Sequence, residues 1–169
     1  MIVFAHPTPA SLIAGFAMTA LGELFRSWGV MYVGSETRVR QQVGASRLIT
    51  SGPFAHVRNP LYVGNIVIYL GIGAMSFALF PWLQLAALVY FIIQYRLIVR
   101  EEERFLKEQF GAQYEEYARS VPRFLVRLTP YRSPNPHTIE WSAGWSSEMR
   151  TLQAVGAVTL IIIAIYILR

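Results

Sequence analysis

Apolar residues along this chain gather into four long runs separated by polar stretches. The first runs from about Ala10 to Val33, the second from Asn59-Pro60 to about Phe80, the third from Trp82 to about Val99, and the last from about Leu152 to Leu168. Such runs approach or reach the roughly 20 residues a helix needs to cross a bilayer core. Asn59 suits an N-cap and Pro60 the first helical position of the second run. Pro81 marks a tight, uncharged connection into the third. Gly64 and Gly71 share a face of the second helix and allow close contact with a neighbour.

After Arg96 the pattern changes. Residues 100–120 are charged, yet Phe105, Leu106, Phe110, Tyr114 and Tyr117 recur at helical spacing. The third span therefore continues into a cytosolic amphipathic helix. A linker holding two prolines follows at Ser133–His137, then Trp141 and Trp145 one turn apart, which suit an interfacial belt. The pattern predicts an all-α fold: a single domain over 1–169, built as a polytopic membrane helix bundle with about four transmembrane helices and the cytosolic helix.

Composition supports a membrane chain. It is 54% hydrophobic and only 15% charged, against about 25% charged in an average soluble domain. The net charge of +5 is explained by arginine-rich loops on one membrane face, and no nucleic-acid partner is expected. Nearly all basic residues lie in the loop 34–58 and in 96–150, while the turn at Phe80-Pro81 carries none. Both basic regions then share the cytoplasmic side, and both termini the other. The N-terminus lacks the basic region of a cleaved signal peptide, so its first apolar run is expected to stay as a span. Glu23 and Arg26 within that run are expected to pair on one face towards the bundle interior, or to sit near the headgroups.

The chain has no cysteine and no aspartate, and its three histidines are scattered. Thiolate chemistry is excluded and no metal site is expected. What remains are two polar clusters flanking the central hairpin. One runs from Leu48-Ile49-Thr50-Ser51-Gly52-Pro53-Phe54 through Arg58-Asn59-Pro60-Leu61-Tyr62 to Gly64; the other is Arg100-Glu101-Glu102-Glu103, followed by Phe110-Gly111, Tyr114, Tyr117 and Val121-Pro122-Arg123. A hairpin sets the start of one helix beside the end of the other, so Arg58–Tyr62 should face Arg100–Glu103. The helix N-terminus at Pro60 and Arg58 favour an anionic group. Glu102 or Glu103 can hold an ammonium, and Phe54 or Tyr62 can cover a cation or a flat base. S-adenosylmethionine is a ligand with all of these features.

The same residues resemble the isoprenylcysteine carboxyl methyltransferase family and its phospholipid methyltransferase relatives. The match reads Leu48-Ile49-Thr50-Ser51, Gly52-Pro53-Phe54, Arg58-Asn59-Pro60, Tyr62 and Gly64 before the hairpin. After it come Glu102-Glu103, Leu106, Phe110-Gly111, Tyr114, Tyr117 and Val121-Pro122-Arg123. It covers roughly 22–127, leaving the last span, about 152–168, outside the pattern.

The resemblance implies a membrane methyltransferase with S-adenosylmethionine bound at the cytosolic face. Leu48, Ile49, Phe54, Asn59, Pro60, Tyr62 and Glu102 would line the cofactor pocket. Arg100 would orient the acceptor, with Arg96 as a competing candidate. Asn59 stands where the family has His, and Phe54 where it has Tyr. The expected acceptor is lipophilic, such as a prenylated carboxylate or a lipid headgroup, reached from the membrane lipids. The expected location is a bacterial inner membrane in preference to the endoplasmic reticulum. Two rivals remain: an NADPH-dependent reductase of the sterol type, and a non-catalytic scaffold of the same fold. His56 is read as structural, and Gly71-Ile72-Gly73 as packing, since a third glycine is missing for a dinucleotide loop.

Overall fold

The computed structural model describes residues 2–34 and 47–168. The expectations for Arg38, Arg40, Gln41 and Gln42 lie outside the described residues. Four helices carry the fold: α1 (Pro9–Val33), α2 (Pro60–Ser76), α3 (Trp82–Ser120) and α4 (Trp141–Ile167). The described residues hold no strand.

α1 starts on a reciprocal cap. The Thr8 hydroxyl accepts from the Ser11 amide at 3.1 Å, and the Ser11 hydroxyl accepts from the Thr8 amide at 2.9 Å. That satisfies two of the amides a helix start leaves without partners. Gly15, Gly22 and Gly29 then recur every seven residues along one face. Gly15 meets Gly71 and Gly22 meets Gly64 of α2 at near-backbone distance, while Gly29 lies against Leu61 and Pro60. A Cβ at Gly71 would stand 2.4 Å from the Thr19 hydroxyl and 2.6 Å from the Thr19 amide nitrogen. One at Gly15 would stand 2.4 Å from the Met75 amide nitrogen. Only glycine admits this approach, which places the two helix backbones in direct dispersion contact. The face expected from Gly64 and Gly71 is therefore the main helix contact, and its partner is a glycine stripe on α1.

α2 ends at Ser76, four residues before the predicted limit. Phe77 and Leu79 adopt left-handed backbone and Ala78 is buried, so 77–81 forms the tight turn. α3 then runs without interruption from the apolar stretch into the charged one, to a break at Gly111 (φ 49°, ψ −125°). The helical spacing of Phe105 to Tyr117 thus conceals a change of direction. Past the break, Tyr114, Tyr117 and Val121 turn back to bury against Leu48. α4 begins at Trp141, well before the predicted span, and seats Ile162 against Ile68, Ile72 and Met75 of α2.

Two helical segments, α3 and Gly144–Ile167, are long and apolar enough to cross a membrane, and only 11% of each apolar window is buried. That exposure is opposite to what the core helix of a soluble domain would have. α2 is apolar but has only 17 residues. α1 has 25 residues but carries Glu23 and Arg26. Those two do not form the expected pair. Arg26 instead bonds Glu148 of α4, because the α1 face that carries it is covered by the last helix.

Replacing Gly71 by Val should lower stability by about 1–3 kcal/mol through overpacking. Gly156, whose added Cβ meets nothing within 4 Å, provides the control: Gly156→Ala should be neutral or gain up to about 1 kcal/mol of helix propensity. Thermal unfolding of the detergent-solubilised chain, followed by tryptophan fluorescence, separates the two outcomes.

Candidate active site

The chain from 47 to 59 has little regular structure, apart from a short 3₁₀ turn at Gly52–Ala55. It is held in place by the strap 121–140 that returns from α3. The Tyr117 hydroxyl donates to the Phe54 carbonyl at 2.8 Å, and the Tyr131 amide to the Ala55 carbonyl at 2.9 Å. The Arg127 amide donates to the His56 carbonyl at 3.0 Å, and His56 Nδ1 lies 2.8 Å from the Arg127 carbonyl. Thr50 and Ser133 hydroxyls meet at 2.7 Å, and the His137 amide donates to the Ser51 hydroxyl at 2.9 Å. These contacts supply backbone partners to a segment that lacks its own ladder. His56 is engaged structurally.

Across the hairpin the two polar clusters meet. The Tyr62 hydroxyl donates to Glu102 at 2.6 Å, and Arg58 pairs with Glu103 at 3.0 Å. Glu103 also takes two bonds from Arg123, one of them from Nε at 3.1 Å. Arg58 Nη1 donates to the Ala118 carbonyl at 2.7 Å, and the Arg58 amide to the Pro122 carbonyl at 2.9 Å. With both terminal nitrogens committed, Arg58 acts as a strut for Glu103 and has no free fork for an anion. Asn59 occupies the N-cap position of α2 but makes no side-chain cap. Its Nδ2 donates to the Arg123 carbonyl at 3.1 Å instead, because the strap lies across it.

Leu48, Ile49, Phe54 and Pro60 are buried. Leu48 packs on Tyr114, Tyr117 and Val121, while Ile49 and Phe54 pack on Val33. Their side chains form the wall behind the polar cluster. Beside it, a cavity of about 420 Å³ is lined by Arg100, Glu101, Glu103, Arg104, Lys107 and Tyr114. Most of its charge is already matched. Arg104 pairs with Glu101 at 2.5 Å, Lys107 with Glu115 at 2.8 Å, and Glu103 with two arginines. Arg100 has no partner among the described residues. Arg96, one turn earlier, is exposed and does not line the cavity.

Burial, and then the Glu103 charge, push the Tyr114 hydroxyl up to about 12. A folded value above the free one of about 10 means that any contribution of the neutral phenol is complete below that pH and lost only in strong alkali. Tyr114 is therefore a neutral donor at physiological pH and cannot act there as a base. The Lys107 ammonium holds the Glu115 carboxyl below its ordinary range, keeping that pair charged.

Arg123, Tyr114, Arg104 and Lys107 belong to this region, yet sequence reasoning assigned them no role. For Arg123 the signal was the Val121-Pro122-Arg123 motif; for Arg104 and Lys107 only their spacing of one and two helical turns from Arg100 was available. Glu103→Gln should leave Arg58 and Arg123 facing each other and cost about 1–3 kcal/mol. Adding Arg123→Gln should recover part of that loss, a coupling read from the double-mutant cycle in thermal unfolding.

From Tyr62 the α2–α3 seam continues as a file of aromatic rings. Tyr62 meets Tyr95 at 4.6 Å between centroids, Tyr95 meets Phe91 at 5.7 Å, and Phe91 stacks on Tyr69 at 4.8 Å. The Asn65 amide donates to the Tyr95 hydroxyl at 3.4 Å. The polar cluster thus opens towards an apolar aromatic seam, an arrangement that can receive a ligand with one polar and one apolar end.

Comparison with known proteins finds two kinds of relative, metal-resistance proteins and methyltransferases. A cobalt-zinc-cadmium resistance protein of Cupriavidus metallidurans is 34% identical over 136 residues, covering 80% of this chain and 58% of that protein. Protein-S-isoprenylcysteine O-methyltransferase B of Arabidopsis thaliana is 29% identical over 120 residues, 64% of this chain and 55% of its own. The corresponding methyltransferase of Xenopus laevis is 29% identical over 116 residues, 65% and 38% of the two chains. The chain spans little more than half the length of the first two of these relatives. No solved structure matches it. The family model described as phospholipid methyltransferase matches residues 10–113, from the first turn of α1 to just past the Gly111 break, and the chain belongs to that family.

Proposed function

We propose that this protein is an integral membrane methyltransferase that takes its methyl group from S-adenosylmethionine. The observation that carries the reading is the meeting of the two motif halves across one hairpin, Tyr62 on Glu102 and Arg58 on Glu103, in a chain of the phospholipid methyltransferase family. The donor set suits a zwitterionic cofactor. Glu102 offers a carboxylate to an ammonium, and the N-terminus of α2, which has no side-chain cap, offers amides and a positive dipole end to a carboxylate. When bound, S-adenosylmethionine supplies an electrophilic methyl group for in-line transfer.

The protein's own share is positioning. Tyr62 fixes the Glu102 carboxylate, while Arg58 and Arg123 hold the neighbouring Glu103 so that this turn of α3 keeps its register. Arg100 orients an anionic group on the acceptor, which as a carboxylate needs no general base. The acceptor is amphipathic and enters laterally along the aromatic seam, its apolar part among membrane lipids. In this reading four helices cross a bacterial inner membrane, and the polar ends of α2 and α3 face the cytoplasm.

A non-catalytic scaffold is the second reading, supported by Asn59 and by the metal-resistance name of the Cupriavidus metallidurans relative. Glu102→Ala should abolish S-adenosylmethionine binding by the purified chain; a scaffold's function would survive it. Arg100→Ala should weaken acceptor use about 10–100-fold in KM, the worth of one charge-assisted hydrogen bond. Incubating membranes with methyl-labelled S-adenosylmethionine identifies the fraction that gains label. Binding of NADPH with none of S-adenosylmethionine would replace this proposal by the reductase.

A further inference from the structure

Outside this site, the densest buried charge lies between α1 and α4. Glu23, Arg26 and Ser27 share one turn of α1 and meet Glu148 of α4, which is 1% exposed. Arg26 pairs with Glu148, and the Ser27 hydroxyl donates to it at 3.0 Å. The Glu23 carboxyl, 7% exposed, lies against that of Glu148. Both its oxygens are buried, with no donor among the described residues. α2 contributes no charged side chain, and from α3 the polar group facing Arg26 is the neutral Tyr95 hydroxyl.

Two carboxylates therefore oppose one guanidinium in a seam removed from water. With both ionised, one negative charge would be left uncompensated, at several kcal/mol. One added positive charge restores neutrality. A hard metal cation takes about six or more oxygens, whereas two carboxylates and one hydroxyl supply fewer, one of them already held by Arg26. A proton needs only the two facing carboxyl oxygens, and it provides the donor that Glu23 lacks.

We propose that the Glu23 carboxyl keeps its proton in the folded chain and donates it to Glu148, and that this bond fastens α4 to α1. The seam adjoins the strap. At the start of α4 the Glu140 carboxylate bonds Arg47 and the Glu140 amide donates to the Met31 carbonyl at 2.9 Å. The preceding residues hold Thr50, Ser51 and Ala55. Loss of the proton charges the seam, loosens α4, and slackens the segment that backs the candidate site. This inference is independent of the methyltransferase reading.

The test uses the full chain in nanodiscs. Infrared spectra at neutral pH should show the C=O band of a protonated carboxyl, and Glu23→Gln should remove it completely. The folded state holds a proton the unfolded chain releases, so thermal stability of the wild type should fall as pH rises from neutral to alkaline. Glu23→Gln keeps the shape and donates its amide to Glu148, so its unfolding temperature should fall less over that range. Absence of the band in the folded wild type, or the same pH slope in Glu23→Gln, would overturn the proposal. So would a sodium dependence of stability in place of the pH dependence.

Discussion

The contact on which the rest of the fold depends is the crossing of α1 and α2 through their glycines. In a lipid environment apolar side chains gain little by meeting one another, since the solvent is equally apolar. Close backbone approach is what remains, and Gly15, Gly22, Gly64 and Gly71 supply it at distances that admit no Cβ. That crossing fixes the start of α2, where Pro60 lies beside Gly29. The position of Tyr62 follows from it, and so does the side of the hairpin on which the polar cluster forms.

A second layer of order is electrostatic. Arg58, Glu103 and Arg123 come from three separate segments, and each bond among them joins segments far apart in the chain. The strap has no regular structure, yet it gives the 47–59 segment most of its hydrogen bonds. Gly111 makes this possible. Its backbone (φ 49°, ψ −125°) lies in a region open essentially to glycine alone, and it turns Tyr114 and Tyr117 back onto Leu48. The Phe110-Gly111 motif thereby has a mechanical role, placing the aromatic wall behind the cluster.

The last helix belongs to the same bundle. Its apolar end fills a pocket against α2 with Ile162, and its polar beginning brings Glu148 onto Arg26. Arg26 was available to Glu23 three residues away on its own helix. Arg26 reaches across the seam to Glu148 although Glu23 is buried beside it, so packing of α4 onto α1 decides the pairing and leaves two buried carboxyls around one guanidinium.

What the sequence by itself determined is what short-range chemistry dictates: the apolar runs, the turn at Pro81, the small-residue face of α2, and the opposition of Arg58–Tyr62 to Glu102–Glu103 that any tight hairpin imposes. Leu48, Ile49 and Phe54 were legible as part of the region, although as side chains they are its buried wall. The tertiary structure alone decided the rest. Arg58 is occupied by Glu103 and a helix-end carbonyl, Asn59 is drawn to the strap, and Arg100 rather than Arg96 lines the cavity. The first two of these choices were between partners distant in sequence. Residue spacing encodes neighbours along one helix face, whereas only packing determines which of several charged groups is brought within bonding distance and shielded from water.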